Sequence, residues 1–405
     1  MSRARKLAIG AFVALLAATP FIPRGEDDSD SAFRPSGERE LAEPLAPGPG
    51  VLTGAMRREI DRVVATGRSL GEVSARQAPA QLADDLVRCA EFDGQRYCLH
   101  TGWTTSTEAD VRSRVATATR ALGNNRRPAA VETTGDMDLA ATLRRTAALS
   151  PAERAATERS ELTAAARSVA KVWMLRHEVQ GVSLPAGFSK AHPEAGLAAA
   201  SGRTSTTSTT RTKTAADYPR ASKVLRWRHT AEQTTTYWCG PTTMQMIAWG
   251  WQNERKSQRH WADRLGTTTS GTAITQMVRV VNESTGYDRE RRAGTYITLD
   301  ISDWSFANWS LLNMRHIVDY RAPLVLHPVL LKRYYPYLDD DASGHFQVGR
   351  GYNKNGSGPL QIGYFEPWNQ QRFDPSEPYI GRVQWRSAYR SFRANKAHFQ
   401  HNIGV

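Results

Sequence analysis

The stretch Gln233-Thr-Thr-Thr-Tyr-Trp238-Cys239-Gly240-Pro241-Thr-Thr-Met244 constrains this chain more than any other. An apolar stripe begins after Pro241, formed by Met244, Ile247, Ala248 and Trp251. That i, i+3, i+4, i+7 spacing is one face of a helix. Proline suits its first turn, where the missing N–H costs nothing. Cys239 is therefore expected at the mouth of a buried helix, where free N–H groups and the positive dipole end favour an anion. A thiol so placed is expected to ionise more readily than a free cysteine. Alone, such a cysteine is more often a small buried hydrophobe. The other two cysteines and the second half of the chain reverse those odds.

Cys89 and Cys98 flank Asp93-Gly94, a strong signal for a two-residue hairpin turn. Counting outward from that tip sets Phe92 against Gln95 and Cys89 against Cys98, as a non-hydrogen-bonded pair with its side chains close. A disulfide is expected there, and no other candidate ligands cluster nearby to favour a metal pair. Cys239 is then the odd thiol of an exported chain, which flags reactivity.

A partner for that thiol comes from strand-like sequence downstream. Gly344-His345 opens one expected strand through Tyr352, and Leu360–Phe365 forms a second that ends in Glu366-Pro367. With Asn355-Gly356 as a two-residue tip, Glu366 falls opposite His345. A carboxylate facing an imidazole can fix its tautomer and orientation.

The pattern Gln-x5-Cys-Gly-Pro, then Gly-His-Phe-Gln-Val-Gly-Arg-Gly-Tyr, then a strand ending in an acid before proline resembles the C39-like family of papain-fold cysteine peptidases. The resemblance covers roughly residues 217–390. It implies that Cys239 is the nucleophile, His345 the base, Glu366 the orienting acid and Gln233 the oxyanion-hole glutamine. The family more often has Asp before that proline, so Asn369 is the fallback for the third role. The chemistry implied is hydrolysis of a peptide or amide bond with no metal or organic cofactor.

The rest of the chain reads as context for this domain. Residues 1–25 have the basic, apolar and small-residue order of a secretory signal. Residues 26–50 are rich in Pro, Gly, Ser and acidic groups and read as a flexible leader. Residues 51–200 read as a mainly helical region carrying the disulfide hairpin at 87–100. Its clearest helix start is Ser150-Pro151-Ala152-Glu153, a capping box, with the helix running on to Leu175. No catalytic constellation is evident in this region, which reads as a helical spacer or pro-segment. Residues 201–216 are a low-complexity linker. Nine of the eleven tryptophans lie beyond it, so a large core is expected over 217–405.

The fold class is α+β: helices first, such as those carrying Ile274/Met277/Val281 and Phe306/Trp309/Leu312, then an antiparallel sheet packed against them. Lys and Arg outnumber Asp and Glu by 53 to 40, but without a basic block or nucleic-acid motif, so no nucleic-acid partner is expected. No stretch beyond the signal is apolar enough to cross a bilayer. The expected location is extracellular, with cell-wall association as an option, and the expected partner is a peptide or protein substrate, with cell-wall peptide as an option. Two alternatives remain open at this stage. One is a cell-wall amidase or endopeptidase acting on peptidoglycan; the other is an exported binding or scaffold protein whose papain-like domain has lost activity.

Overall fold

The computed structural model describes residues 46–70, 73–124, 133–196, 213–286, 294–355, 358–368, 370–373, 375 and 379–405. The signal segment, most of the leader, residues 201–212 of the linker, Gly356 and Asn369 lie outside them.

One mostly antiparallel sheet organises the described chain. Its strands are β1 (Cys89–Phe92), β2 (Gln95–Cys98), β3 (Gly102–Thr104), β4 (Ala221–Lys223), β5 (Thr298–Asp300), β6 (Leu324–Leu326), β7 (Gln347–Asn353), β8 (Gln361–Phe365), β9 (Val383–Ser387) and β10 (Asn402–Gly404). The order is β1-β2-β3-β5-β10-β6-β7-β8-β9, with β4 added to β7. Only β3–β5 is parallel among these pairs. The first half of β7 pairs with β6 and the second half with β4, and a register shift between Gly349 and Gly351 separates the two.

The sheet joins the two halves of the sequence. The hairpin β1–β2 has the register expected from Asp93-Gly94, Cys89 against Cys98, and these two residues form a disulfide. Strand β3 then carries the hairpin onto β5, and Thr104 donates to the Asp300 carboxylate at 2.9 Å. Helix Val169–Gln180 is tied to helix Phe306–Val318 by a buried ion cluster in which Arg315 meets both Glu178 and Asp319. Part of this region packs into the main core, with Phe92, Tyr97 and Trp103 in the same cluster as Cys239 and Tyr364, while Leu82, Leu86, Val111 and Leu143 lie in a second cluster.

Local signals account for the helices around this sheet. Ser150 and Glu153 form the reciprocal capping box, and the helix begins at Pro151. It breaks at Ser168, earlier than its Ala-rich composition predicts, and restarts as Val169–Gln180. The Ser168 hydroxyl donates to Ala165 O and accepts from Trp103 Nε1, a local alternative to continuing the helix. Helix Cys239–Gln252 is buried at every position from Cys239 to Ala248, so it runs through the interior with no solvent face in its first turns. It stops at Asn253, whose φ of 57° is left-handed.

The Cys89–Cys98 bridge closes a loop of sequence separation 9. Cys98→Ser is expected to lower the unfolding free energy by about 2–3 kcal/mol, the loop-closure value for so short a span. Urea titration of the oxidised protein and the variant measures it.

Candidate active site

Cys239 begins its helix fully buried, and it is the free cysteine of the chain. The helix start comes close to Thr272: a Cβ on Gly240 would stand 2.5 Å from the Thr272 hydroxyl, so a side chain is excluded there. The N–H groups of Gly240 and Phe346 are aimed at the sulfur and favour the thiolate. Burial works against them and is the larger effect, and the Asp136 carboxylate adds to it; the thiol is pushed well up from its ordinary value. The helix mouth thus lies where the sequence places it, but the ready ionisation expected from the helix dipole is overridden by desolvation and a neighbouring charge.

Phe346 reaches the sulfur because the segment before β7 crosses the helix start. Thr243 donates to Phe346 O at 3.2 Å, and His345 N donates to Pro328 O at 2.9 Å. His345 therefore precedes β7 and does not open it. Its ring is fully buried and its Nε2 lies 2.7 Å from Glu366 Oε1. Nδ1 is buried with no hydrogen-bond partner.

The expected cross-strand register needs correction. Observed pairs are Val348 with Phe365 and Gly349 with Tyr364, two positions away from the count that set His345 opposite Glu366. The connection between β7 and β8 spans 354–360, longer than a two-residue turn. By this register Glu366 falls opposite Gln347, whose side-chain amide donates to Glu366 Oε2 at 2.7 Å. The histidine still reaches the carboxylate because diagonal neighbours on one sheet face are within range of long side chains. Tyr337 OH and Trp368 N also donate to Glu366, at 2.8 and 2.9 Å. Burial alone pushes the Glu366 carboxyl up, but the His345 ring and these donors outweigh it and hold the group below its ordinary value. Asn369 lies outside the described residues.

Gln233 is fully buried. Its Nε2 donates towards Thr236 O (2.9 Å), Thr235 O (3.1 Å) and Thr134 O (3.2 Å). Cys239 N points at the same Thr134 carbonyl, at 3.3 Å. Two donors from the Gln233–Cys239 stretch thus converge on one oxygen from the first half of the chain.

The next residues of that segment are gripped as well. Asp136 accepts from His327 Nε2 at 2.8 Å and from His398 Nε2 at 2.9 Å. His327 Nδ1 faces Asn402 Oδ1, and His398 Nδ1 accepts from Gln400 N. Asp136, His327 and His398 are the one such group among the described residues with the composition and closeness of a metal site, all ligand atoms lying within 4.8 Å. Their nitrogens and oxygens are already paired with one another and with neighbouring protein groups. Burial pushes Asp136 up, but the two rings reverse this and hold it well below the carboxylate range.

Residues 224–395 match the Peptidase_C39 like family. That part of the chain is similar to this family. No curated protein and no solved structure matches the chain. The match carries a cysteine-peptidase-like function at the level of the family. The matched stretch includes Gln233, Cys239, His345 and Glu366, whereas Thr134 and Asp136 lie outside it. Sequence reasoning missed these two because Thr133-Thr-Gly-Asp136 shows neither periodicity nor a motif. It missed His327 because it is a lone histidine in apolar sequence, and His398 because the stretch around it, Asn395 to Asn402, shows no motif. Among the described residues, no helix is long and apolar enough to cross a membrane.

The buried His398 ring gives a test of this packing. Burial chiefly, with His327, pushes it down from an ordinary 6.5 to about 4, against the pull of Asp136. As pH falls between those values, the unfolded chain takes up a proton that the native ring refuses, so stability falls. Asp136 contributes in the same direction only below the ordinary carboxylate value. Urea unfolding should lose on the order of 3 kcal/mol between pH 6.5 and 4 from His398, and His398→Asn should flatten that slope.

Proposed function

We propose that the C39-like domain is a cysteine peptidase that hydrolyses peptide bonds through Cys239, His345 and Glu366. The observation that carries this reading is the state of the His345 ring. One nitrogen is held by a buried carboxylate, the other is left open, and the next residue's N–H is aimed at the Cys239 sulfur. An imidazole fixed in this way can take a proton from the thiol and return it to a leaving amine.

In the proposed reaction, Cys239 attacks the carbonyl carbon while His345 removes the thiol proton. The buried, depressed carboxyl of Glu366 stays ionised and stabilises the imidazolium that forms. Gln233 Nε2 and Cys239 N, both already directed at one carbonyl oxygen, hold the oxyanion of the tetrahedral intermediate. Collapse expels the amine with a proton from His345, and water then releases the acyl group from sulfur. Burial pushes the thiol up, so His345 takes its proton as attack proceeds.

We propose export for the same protein. The secretory order of residues 1–25 and a disulfide between Cys89 and Cys98 support it, because such bonds persist in oxidising compartments. The proposed substrate is a peptide or protein outside the cell.

Cys239→Ala and His345→Ala should each abolish peptide hydrolysis, and the double variant should be no worse, because the pair acts as one unit. Gln233→Ala should lower kcat by about 10²–10³, as for other oxyanion donors. Glu366→Gln should cost less than either member of the pair. Peptide hydrolysis that survives Cys239→Ala overturns the reading.

A further inference from the structure

Resting on the peptidase reading, we infer that the Thr134–Gly135 peptide bond is a substrate of this same site, and that the chain cuts itself there. The segment lies in the cleft as an extended substrate does. The Thr134 carbonyl oxygen is where Cys239 N and Gln233 Nε2 converge, the position of a scissile carbonyl in the reaction above. On the acyl side, Thr134 N donates to Ser343 Oγ at 3.0 Å and the Thr134 hydroxyl donates to Gly344 O at 2.6 Å. Gly344 is the neighbour of His345. On the leaving side the chain pairs as a short parallel strand with Thr272. Thr272 N donates to Gly135 O, and Met137 N donates to Thr272 O, both at 2.9 Å. Main-chain pairing of this kind holds a peptide extended whatever its side chains are.

The cleft also selects residues. Gly135 has φ +109°, and a Cβ there would stand 2.3 Å from the Tyr237 carbonyl carbon. Only glycine fits at that position. Gly271 and Gly344 give the segment room, since a Cβ on them would meet Gly135 O and Asp136 Oδ2 at 2.2 and 2.3 Å. Asp136 fills an anion site made by His327 and His398. The substrate class is a chain with Thr-Gly-Asp across the cut: a small hydroxyl residue before the bond, glycine after it, and an acid next.

The step balances with water as co-reactant. Cys239 Sγ bonds to the Thr134 carbonyl carbon, and the C–N bond to Gly135 breaks. The thiol proton passes through His345 to the Gly135 nitrogen, which leaves as an amine. Water then cleaves the thioester, giving a Thr134 carboxylate and restoring the thiol. The fragment ending at Thr134 stays in place, because β3 remains paired with β5.

Intact mass of the purified full chain, followed during incubation at neutral pH, reads the cut directly. A fragment ending at Thr134 and one beginning at Gly135 are expected from wild type, and neither from Cys239→Ala or His345→Ala. Gly135→Ala should remain uncut and hydrolyse an added octapeptide copying residues 131–138 faster than the uncut wild type, because its own segment no longer fits. Asp136→Ala should slow the cut by about tenfold or more, through loss of two hydrogen bonds to a charged group. Cleavage at another bond, or the same cut in Cys239→Ala, overturns the inference. A wild-type chain that stays whole while hydrolysing the octapeptide also overturns it, makes the segment a plug, and leaves the peptidase reading standing. A folded chain, checked by circular dichroism, that is neither cut nor active on the octapeptide overturns both.

Discussion

The arrangement around Cys239 depends on one buried charge. Glu366 has no solvent exposure, and removing a carboxylate from water costs several kcal/mol unless donors replace the water. Four do so here: His345 Nε2, Gln347 Nε2, Tyr337 OH and Trp368 N. They come from the segment before β7, from β7 itself, from the loop after β6 and from the turn after β8. Satisfying the carboxylate therefore sets four pieces of chain relative to one another. The His345 ring is fixed as one consequence, with Nδ1 left over on the other side.

A second constraint acts on the far side of the thiol. Gln233 Nε2 and Cys239 N are buried donors, and buried donors need acceptors. The Thr134 carbonyl supplies one to each. The cleft is thus filled by its own chain, and the first half of the sequence is part of the site's environment. The same packing brings Asp136 close enough to oppose ionisation of the sulfur. A carbonyl that satisfies the donors and a carboxylate that adds to the effect of burial on the thiol arrive together, two residues apart on one extended segment.

Much of this was legible from short-range patterns. The Asp93-Gly94 count gives the disulfide register, the Ser150–Glu153 box gives a helix start, and the apolar spacing after Pro241 gives the buried helix. These succeed because each depends on residues within one or two turns of each other. The β7–β8 register was misread by two positions. The glycine-rich stretch between the strands allows several turn lengths; the pairing is three positions off beside the turn, and the shift between Gly349 and Gly351 takes back one of them. The identity of the carboxylate partner survived that error, because long side chains on one sheet face tolerate a diagonal offset.

By itself the sequence determined the chemical inventory and its local settings: a lone thiol at a helix start, a glutamine six residues before it, a histidine close to the start of a strand, though read as opening it, and an acid at the end of the next. Tertiary structure alone decided that Thr134 and Asp136 enter the cleft, that His327 and His398 receive the acid, and that the first half of the chain completes the sheet through β3 and β5. Those contacts join residues about a hundred to more than two hundred and fifty positions apart. No helical or strand period links such positions. They are selected by which buried donors and charges remain unsatisfied once the local elements have packed.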